Sequence, residues 1–156
     1  MTLVRNDIGA RRPRRRSATP EAYRLDEQVG FVLRKVSQRH AALFSGLIGD
    51  DTTPMQWAVI AKLAERGPLS QNLLGREAAM DAATVKGVVD RLTKRRIVTA
   101  SADPKDQRLL IVRLTAAGER LAVHLQPSAH NITQATLAPL EATERAQLLA
   151  LLSKLC

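Results

Sequence analysis

The 156-residue sequence predicts a mainly α-helical domain that carries one small β-hairpin. Apolar residues make up 45% of the chain but aromatic residues only 3%, so the core must be built from Leu, Val and Ala, which suits packed helices. One stretch, 97–114, instead resembles two strands joined by the polar turn "DPKDQ". No apolar run reaches about 18 residues, so we expect no contact with a membrane interior.

The first two helices are predicted from apolar periodicity and from capping residues. Over 21–48, apolar residues recur at spacings of three, four or seven, which predicts one long amphipathic helix ended by "GDDTT". Thr53 and Gln56 have the spacing of a capping box at the start of a second helix, which Gly67 ends.

Two shorter helices and the hairpin follow. Ser70 is the predicted N-cap of "SQNLLGREAAM", and Asp81 is the predicted N-cap of "DAATVKGVVDRLTKRR". The predicted strands span Ile97–Ala102 and Arg108–Leu114.

Two further helices complete the prediction. Thr115 caps a long helix that runs to about Ala138, and Pro127 within it predicts a kink because proline removes a backbone hydrogen bond. A leucine-rich helix follows over about 142–155.

Positive charge is concentrated in two parts of a chain whose net charge is +9. Residues 1–20 hold six arginines and one aspartate, and they contain little that could join a core, so we predict a disordered arm. Residues 86–108 hold seven basic and three acidic residues. This distribution favours a polyanionic partner such as nucleic acid. The alternative is a solvated face with a basic tail that contributes only solubility.

Two short helices, a charged helix and a hairpin with a basic tip are the element order of a winged helix-turn-helix. The charged helix would enter the DNA major groove, which is about 12 Å wide, and the hairpin or wing would reach the adjacent minor groove. We expect Asp106 to hold the guanidinium of Arg108 in position at the wing tip. The candidate DNA-binding residues are Ser70, Gln71, Asn72, Ala83, Thr84, Lys86, Gly87, Arg91, Lys94, Lys105 and Arg108.

These candidates have different expected roles. Thr84 and Lys86 suit base edges, whereas Arg91 and Lys94 suit phosphates. Ser70 begins a helix whose free N–H groups suit a phosphate, but ordinary capping is the alternative for such polar residues.

The segments "TTPMQWAVIAKLAERGPLSQNLLG", "DAATVKGVVDRLTKR" and "DPKDQRLLIVRLT" together resemble the helix-turn-helix and wing of the MarR family of bacterial transcription regulators. The middle segment is most similar to members that control the breakdown of aromatic acids of the hydroxycinnamate or nicotinate type. The sequence departs from the family pattern at Arg96, where glycine is usual, at Glu77 and at Glu141.

The resemblance implies a domain organisation and partners. It implies a MarR-type domain over 21–156, with the winged helix-turn-helix in 53–114 and dimerisation helices in 21–48 and 115–156. It also implies a homodimer on a pseudo-palindromic double-stranded operator, and a small anionic aromatic effector.

Seven residues on the first two helices are candidates for binding that effector, because a flat acid can stack on an aromatic ring and pair with Arg or His. For each of them a place in the core or on a solvated face is the alternative. They are Arg34, Gln38, Arg39, His40, Phe44, Met55 and Trp57.

The predicted function is a repressor released from its operator by a small aromatic carboxylic acid or its CoA thioester. The rival is a sequence-tolerant architectural DNA-binding protein without an effector. No paired carboxylates, nucleophile–base set or glycine loop indicates an enzyme, and no cofactor or metal is expected. Cys156 is the only cysteine, which excludes a disulfide framework and favours the cytoplasm.

Overall fold

The structure, a computed structural model, describes residues 22–156, so the arm predicted for 1–20 lies outside the described residues. The described chain is mainly helical with one small sheet, which confirms the predicted fold class. After a 3₁₀ turn at Leu25–Glu27, the helices are α1 Val29–Leu47, α2 Pro54–Arg66, α3 Gln71–Glu77, α4 Ala82–Lys94, α5 Ala116–Leu137 and α6 Ala142–Leu152.

The predicted single helix from residue 21 is wrong at its start, because Gln28 interrupts it. Gln28 has an extended backbone (φ −83°, ψ 128°), and its backbone N–H donates to the Leu25 carbonyl. Its side-chain Nε2 donates to the Arg24 carbonyl at 3.0 Å, the acceptor that a continuous helix would give to the Gln28 backbone. Gln28 therefore closes the 3₁₀ turn and serves as the N-cap of α1.

The sheet has three antiparallel strands, β1 Leu69–Ser70, β2 Val98–Ala102 and β3 Leu110–Leu114, in the order β1-β3-β2. The sequence predicted only the hairpin of β2 and β3, because two residues are too few to show alternation. In β1, Ser70 pairs with Ile111 of β3, which ties the wing to the start of α3.

Local capping is as predicted. The Thr53 hydroxyl accepts from the Gln56 backbone at 3.2 Å while Gln56 Oε1 accepts from the Thr53 backbone at 3.1 Å, which forms the capping box of α2. Side-chain oxygens of Ser70 and Asp81 cap α3 and α4. Gly67 ends α2 with φ 77°.

The three departures from the family pattern have local consequences. Arg96 adopts the left-handed conformation (φ 59°) at a cost of about 1 kcal/mol, so the turn that usually holds glycine forms here with arginine. Glu77 pairs with Arg66 at 3.3 Å and thereby joins α3 to α2. At Glu141, the backbone N–H donates to Glu144 at 2.8 Å, so this carboxylate closes the start of α6.

Two apolar clusters build the core. One joins α2, α3, α4, the sheet and Ala122 of α5, and the other joins α1 to α5. Trp57 and Leu121 pack against both clusters, so they lie where the winged helix-turn-helix meets the flanking helices. Helix α5 remains one element through Pro127.

Candidate nucleic-acid interface

Helix α4 separates its apolar and polar residues between two faces. Four residues, Val85, Val88, Val89 and Leu92, are at most 1% exposed and fix the helix on the core. The polar side is open to solvent. Its exposed members are Ala83, Lys86, Asp90, Arg91 and Lys94, and Thr84 and Gly87 are half-buried beside them.

Thr84 and Asp81 form the start of α4. The Asp81 carboxylate accepts from the Thr84 backbone N–H at 2.7 Å and from its hydroxyl at 2.8 Å. These hydrogen bonds, the backbone one foremost, hold the pKa of Asp81 below its usual value. Because the Thr84 hydroxyl proton is used on Asp81, its oxygen is left to accept from a base, and its methyl group can contact thymine.

Lys86 and Arg91 lie on the polar side with different partners. The Lys86 ammonium lies 2.7 Å from the Asp90 carboxylate, and both side chains are more than half exposed. Such an exposed i,i+4 pair stabilises the helix only slightly, so Lys86 can exchange Asp90 for a base or phosphate at little cost. The Arg91 guanidinium lies above Gly87, 3.7 Å from where a Cβ would stand.

The wing tip has a defined geometry. Asp106 Oδ1 and Oδ2 accept from Arg108 Nε and Nη2, each at 3.0 Å, as predicted. The Arg108 side chain is 89% exposed. Their hydrogen bonds lower the pKa of Asp106 and raise that of Arg108. Asp103 Oδ1 accepts from the backbone of Lys105 at 2.7 Å and so closes the turn that precedes them.

Residues predicted to contact DNA, from two segments that are distant in sequence, lie on one surface. The pairing of β1 with β3 brings the start of α3 beside the wing, where a shallow depression of about 110 Å³ separates them. Ser70 is engaged as the cap of α3 through the Leu73 backbone N–H at 3.4 Å, so its capping role is established. The depression is lined by Ser70, Gln71, Asn72, Arg108, Leu109 and Leu110.

One side chain with tertiary contacts was not singled out from the sequence: Arg95, one of the seven basic residues of 86–108. Its guanidinium donates to the Asp50 carbonyl at 2.9 Å and to Gln56 Oε1 at 3.2 Å. The partners lie 45 and 39 residues away in sequence, so no local pattern could have revealed them.

Among the predicted effector residues, Arg39 and His40 join α1 to the end of α5. Arg39 donates to the Thr136 carbonyl at 2.6 Å and to the Ala135 carbonyl at 3.0 Å. The Thr136 hydroxyl donates to the Ile132 carbonyl at 2.8 Å, so it must accept from Nδ1–H of His40, 2.9 Å away. His40 in its neutral form therefore presents Nε2 as an acceptor.

The other predicted effector residues are dispersed. Buried Phe44 lines a cavity of about 430 Å³ beneath the α1–α2 loop, and Trp57 lines a second of about 450 Å³ between α2 and α5. Arg34, Gln38 and Met55 are exposed. Neither of these two cavities gathers the seven predicted residues in the described chain.

The described residues, 22–156, carry neither a metal-ligand group nor a membrane-spanning helix. No group of three or more His, Cys, Asp or Glu in this range could hold a metal ion. None of the described helices has the length and hydropathy needed to cross a membrane.

Residues 50–109 match the sequence profile of the MarR family. The transcriptional repressor NicR of Pseudomonas putida is 40% identical over 134 residues, which are 85% of each chain. A crystal structure of a probable transcriptional regulator from Pseudomonas aeruginosa is 50% identical, covers 85% of this chain and 100% of its own, and gives a TM-score of 0.82. A structure of Bordetella bronchiseptica BpsR is 39% identical, covers 83% of this chain and 98% of its own, and gives a TM-score of 0.78. That structure concerns the mechanism by which 6-hydroxynicotinic acid regulates DNA binding by BpsR.

Proposed function

The chain belongs to the MarR family, whose members are transcriptional regulators and not enzymes, and we propose that it represses transcription by binding a specific operator. The observations that carry this proposal are the exposed polar face of α4 and the depression where the start of α3 meets the Arg108 wing tip. Helix α4 would enter the major groove, while the start of α3 and the wing tip would contact the DNA backbone, as in other winged helix-turn-helix proteins. This function implies a cytoplasmic protein.

On DNA, the start of α4 would read bases. Thr84 offers an acceptor oxygen and a methyl group, and Lys86 reaches guanine O6 and N7 or a phosphate. Arg91 and Lys94, further along the helix, would contact phosphates. Arg108 would enter the minor groove, where a narrow A·T tract strengthens the negative potential.

A homodimer is supported by apolar side chains that one chain leaves uncovered. In and before α1, Leu25, Val29 and Val36 are 53%, 67% and 50% exposed. Leu149 and Leu155, in and beyond α6, are 53% and 73% exposed. Covering these side chains with a second copy removes them from water and pairs two recognition helices on one pseudo-palindromic site, about 34 Å apart.

A small hydroxylated aromatic acid is the effector class we propose. The BpsR structure concerns 6-hydroxynicotinic acid, and NicR is a repressor of 40% identity. In this chain the His40 Nε2 acceptor suits a ring hydroxyl, because a neutral imidazole cannot donate to a carboxylate at that atom. The carboxylate would pair with an arginine side chain. Bound effector would favour a spacing of the two α4 helices that does not fit the operator.

The proposal is tested by fluorescence anisotropy with the intergenic duplex beside the gene for this chain and a scrambled duplex, at one salt concentration. A specific-to-random affinity ratio above about 10³ supports a repressor. Equal binding to both, and to sites selected from random DNA, would instead support the architectural DNA-binding protein.

The effector is tested with two matched acids. We expect 6-hydroxynicotinic acid to weaken operator binding, and nicotinic acid, which lacks the hydroxyl, to act less. His40→Ala should reduce the difference between them. If neither acid alters operator binding or Trp57 fluorescence, the effector belongs to another chemical class.

A further inference from the structure

Arg95 connects the end of the recognition helix to the loop between α1 and α2. It is the first residue after α4, and its two terminal nitrogens donate to different acceptors. Nη2 donates to the Asp50 carbonyl at 2.9 Å, and Nη1 donates to Gln56 Oε1 at 3.2 Å. A planar fork that satisfies two acceptors sets both distance and direction between the segments it joins.

The acceptor on α2 is buried and shared. Gln56 is 6% exposed, and its Oε1 also accepts from the Thr53 backbone N–H at 3.1 Å. One buried oxygen therefore closes the start of α2 and receives Arg95. Removing either donor would leave this oxygen less satisfied, so the position of Arg95 is coupled to the start of α2.

The acceptor on the loop lies in an unfavourable backbone conformation. Gly49, Asp50 and Asp51 have φ values of 76°, 51° and 47°, three left-handed residues in a row, two of which carry a Cβ. Besides Arg95, the Thr52 hydroxyl donates to the Asp50 carbonyl at 3.3 Å. The Asp50 carboxylate lies 3.4 Å from His124 Nε2 on α5.

This loop is the covalent link between α1, which carries the uncovered apolar face, and the winged helix-turn-helix. The loop also borders the cavity of about 430 Å³ that Phe44 lines. Any shift of α1 relative to α2 must therefore change the backbone of this strained loop, whose Asp50 carbonyl accepts a hydrogen bond from Arg95.

We propose that Arg95 is a positioning residue that holds α4 in register with the α1–α2 loop, and thereby sets the orientation of the recognition helix for operator binding. This inference rests on the proposed function, since a role for Arg95 in specificity requires that the protein bind a specific operator as a dimer. Binding to a specific site needs both recognition helices at a fixed spacing, whereas binding to random DNA depends mainly on the number of cationic contacts. Arg95 thus contributes to specificity through the loop, not through its charge.

The test exchanges arginine for lysine, which keeps the charge but lacks the fork. Arg95→Lys is compared with Arg96→Lys, the same change one residue later, where the side chain is exposed and donates no hydrogen bond within residues 22–156. Full-length proteins are titrated with operator and scrambled duplex, and their melting temperatures are recorded to establish that both variants are folded. Amide hydrogen exchange is followed at 50–53.

We expect Arg95→Lys to lower the specific-to-random ratio by about fivefold or more, with unchanged affinity for scrambled duplex. Exchange at 50–53 should accelerate in Arg95→Lys alone, and Arg96→Lys should match the parent protein in both measurements. A ratio that is equal in Arg95→Lys and the parent overturns the inference.

The two proposals fail in different ways. If the parent protein does not distinguish operator from scrambled duplex, the proposed function fails. The exchange rates then test separately whether Arg95 holds the α1–α2 loop. Unchanged exchange in Arg95→Lys would overturn the connection itself, whereas faster exchange at 50–53 would support it.

Discussion

Asp106 accepts two parallel hydrogen bonds from Arg108 at the tip of the wing, each 3.0 Å long. Because the arginine side chain is 89% exposed, this pair adds little to folding stability. It instead restricts a side chain that would otherwise sample many rotamers, so less conformational entropy is lost when Arg108 meets DNA. This orienting role explains an acidic residue on a tip that we propose contacts DNA.

Arg108→Ala is expected to weaken operator binding several-fold or more, because it removes the guanidinium that the Asp106 carboxylate holds in position. Sedimentation should show an unchanged dimer, since Arg108 is not one of the exposed apolar residues of α1 and α6 proposed to form the interface. Asp106→Asn keeps the arginine and should lose less affinity. Unchanged operator affinity in Arg108→Ala would mean that the wing does not touch DNA.

Lys94→Ala should lower affinity equally for operator and scrambled duplex. A lysine on the exposed side near the end of α4 suits a phosphate, which carries no sequence information. The slope of log K against log salt should fall by about one. A loss confined to the operator would show that Lys94 contacts a base.

Acid should weaken the start of α4 through Asp81. Its pKa is lowered in the folded chain by hydrogen bonds from Thr84, so its contribution to stability is present above its ordinary pKa of 3.8. That contribution is lost as the pH falls through the lower folded value. Thermal melts from neutral pH to below 3.8 should therefore show a smaller acid-induced decrease in Asp81→Asn, which keeps a capping oxygen but does not titrate. Identical pH profiles of the melting temperature would show that Asp81 does not contribute to the loss of stability in acid.

Gly118→Ala should destabilise the fold by about 2 kcal/mol or more, because the new Cβ would overlap the Ile97 carbonyl oxygen. That carbonyl already accepts from the Thr115 backbone at 3.0 Å, so it is not free to move. Gly87→Ala is the matched control, since its Cβ would meet only the Arg91 side chain at 3.7 Å. Chemical denaturation should find Gly87→Ala stable, and a loss of operator binding in it would place Gly87 against DNA.

Val32→Asp should dissociate the proposed dimer. Val32 is 45% exposed on α1 in a single chain, and a charge buried there by a partner would lack a counter-ion. Analytical ultracentrifugation should find a monomer that binds operator weakly, whereas Ala64→Asp, at an exposed position of α2, should remain dimeric. A dimeric Val32→Asp would place the interface elsewhere.

Much of the fold follows from the sequence because its signals act over three or four residues. Thr53, Ser70, Asp81 and Thr115 each accept from a backbone N–H three residues later, so capping is readable without knowing the rest of the chain. The pair of Asp106 and Arg108, two residues apart, belongs to the same class.

Contacts that join distant segments could be decided only by the tertiary structure. Strand β1 exists because β3, which lies far along the chain, pairs with it. Arg95 resembles its charged neighbours in sequence and acquires a role only from Asp50 and Gln56, which folding brings to it from 45 and 39 residues away. Local hydrogen bonds depend on the chain's own spacing, whereas these depend on how the packed elements are oriented, which no short segment contains.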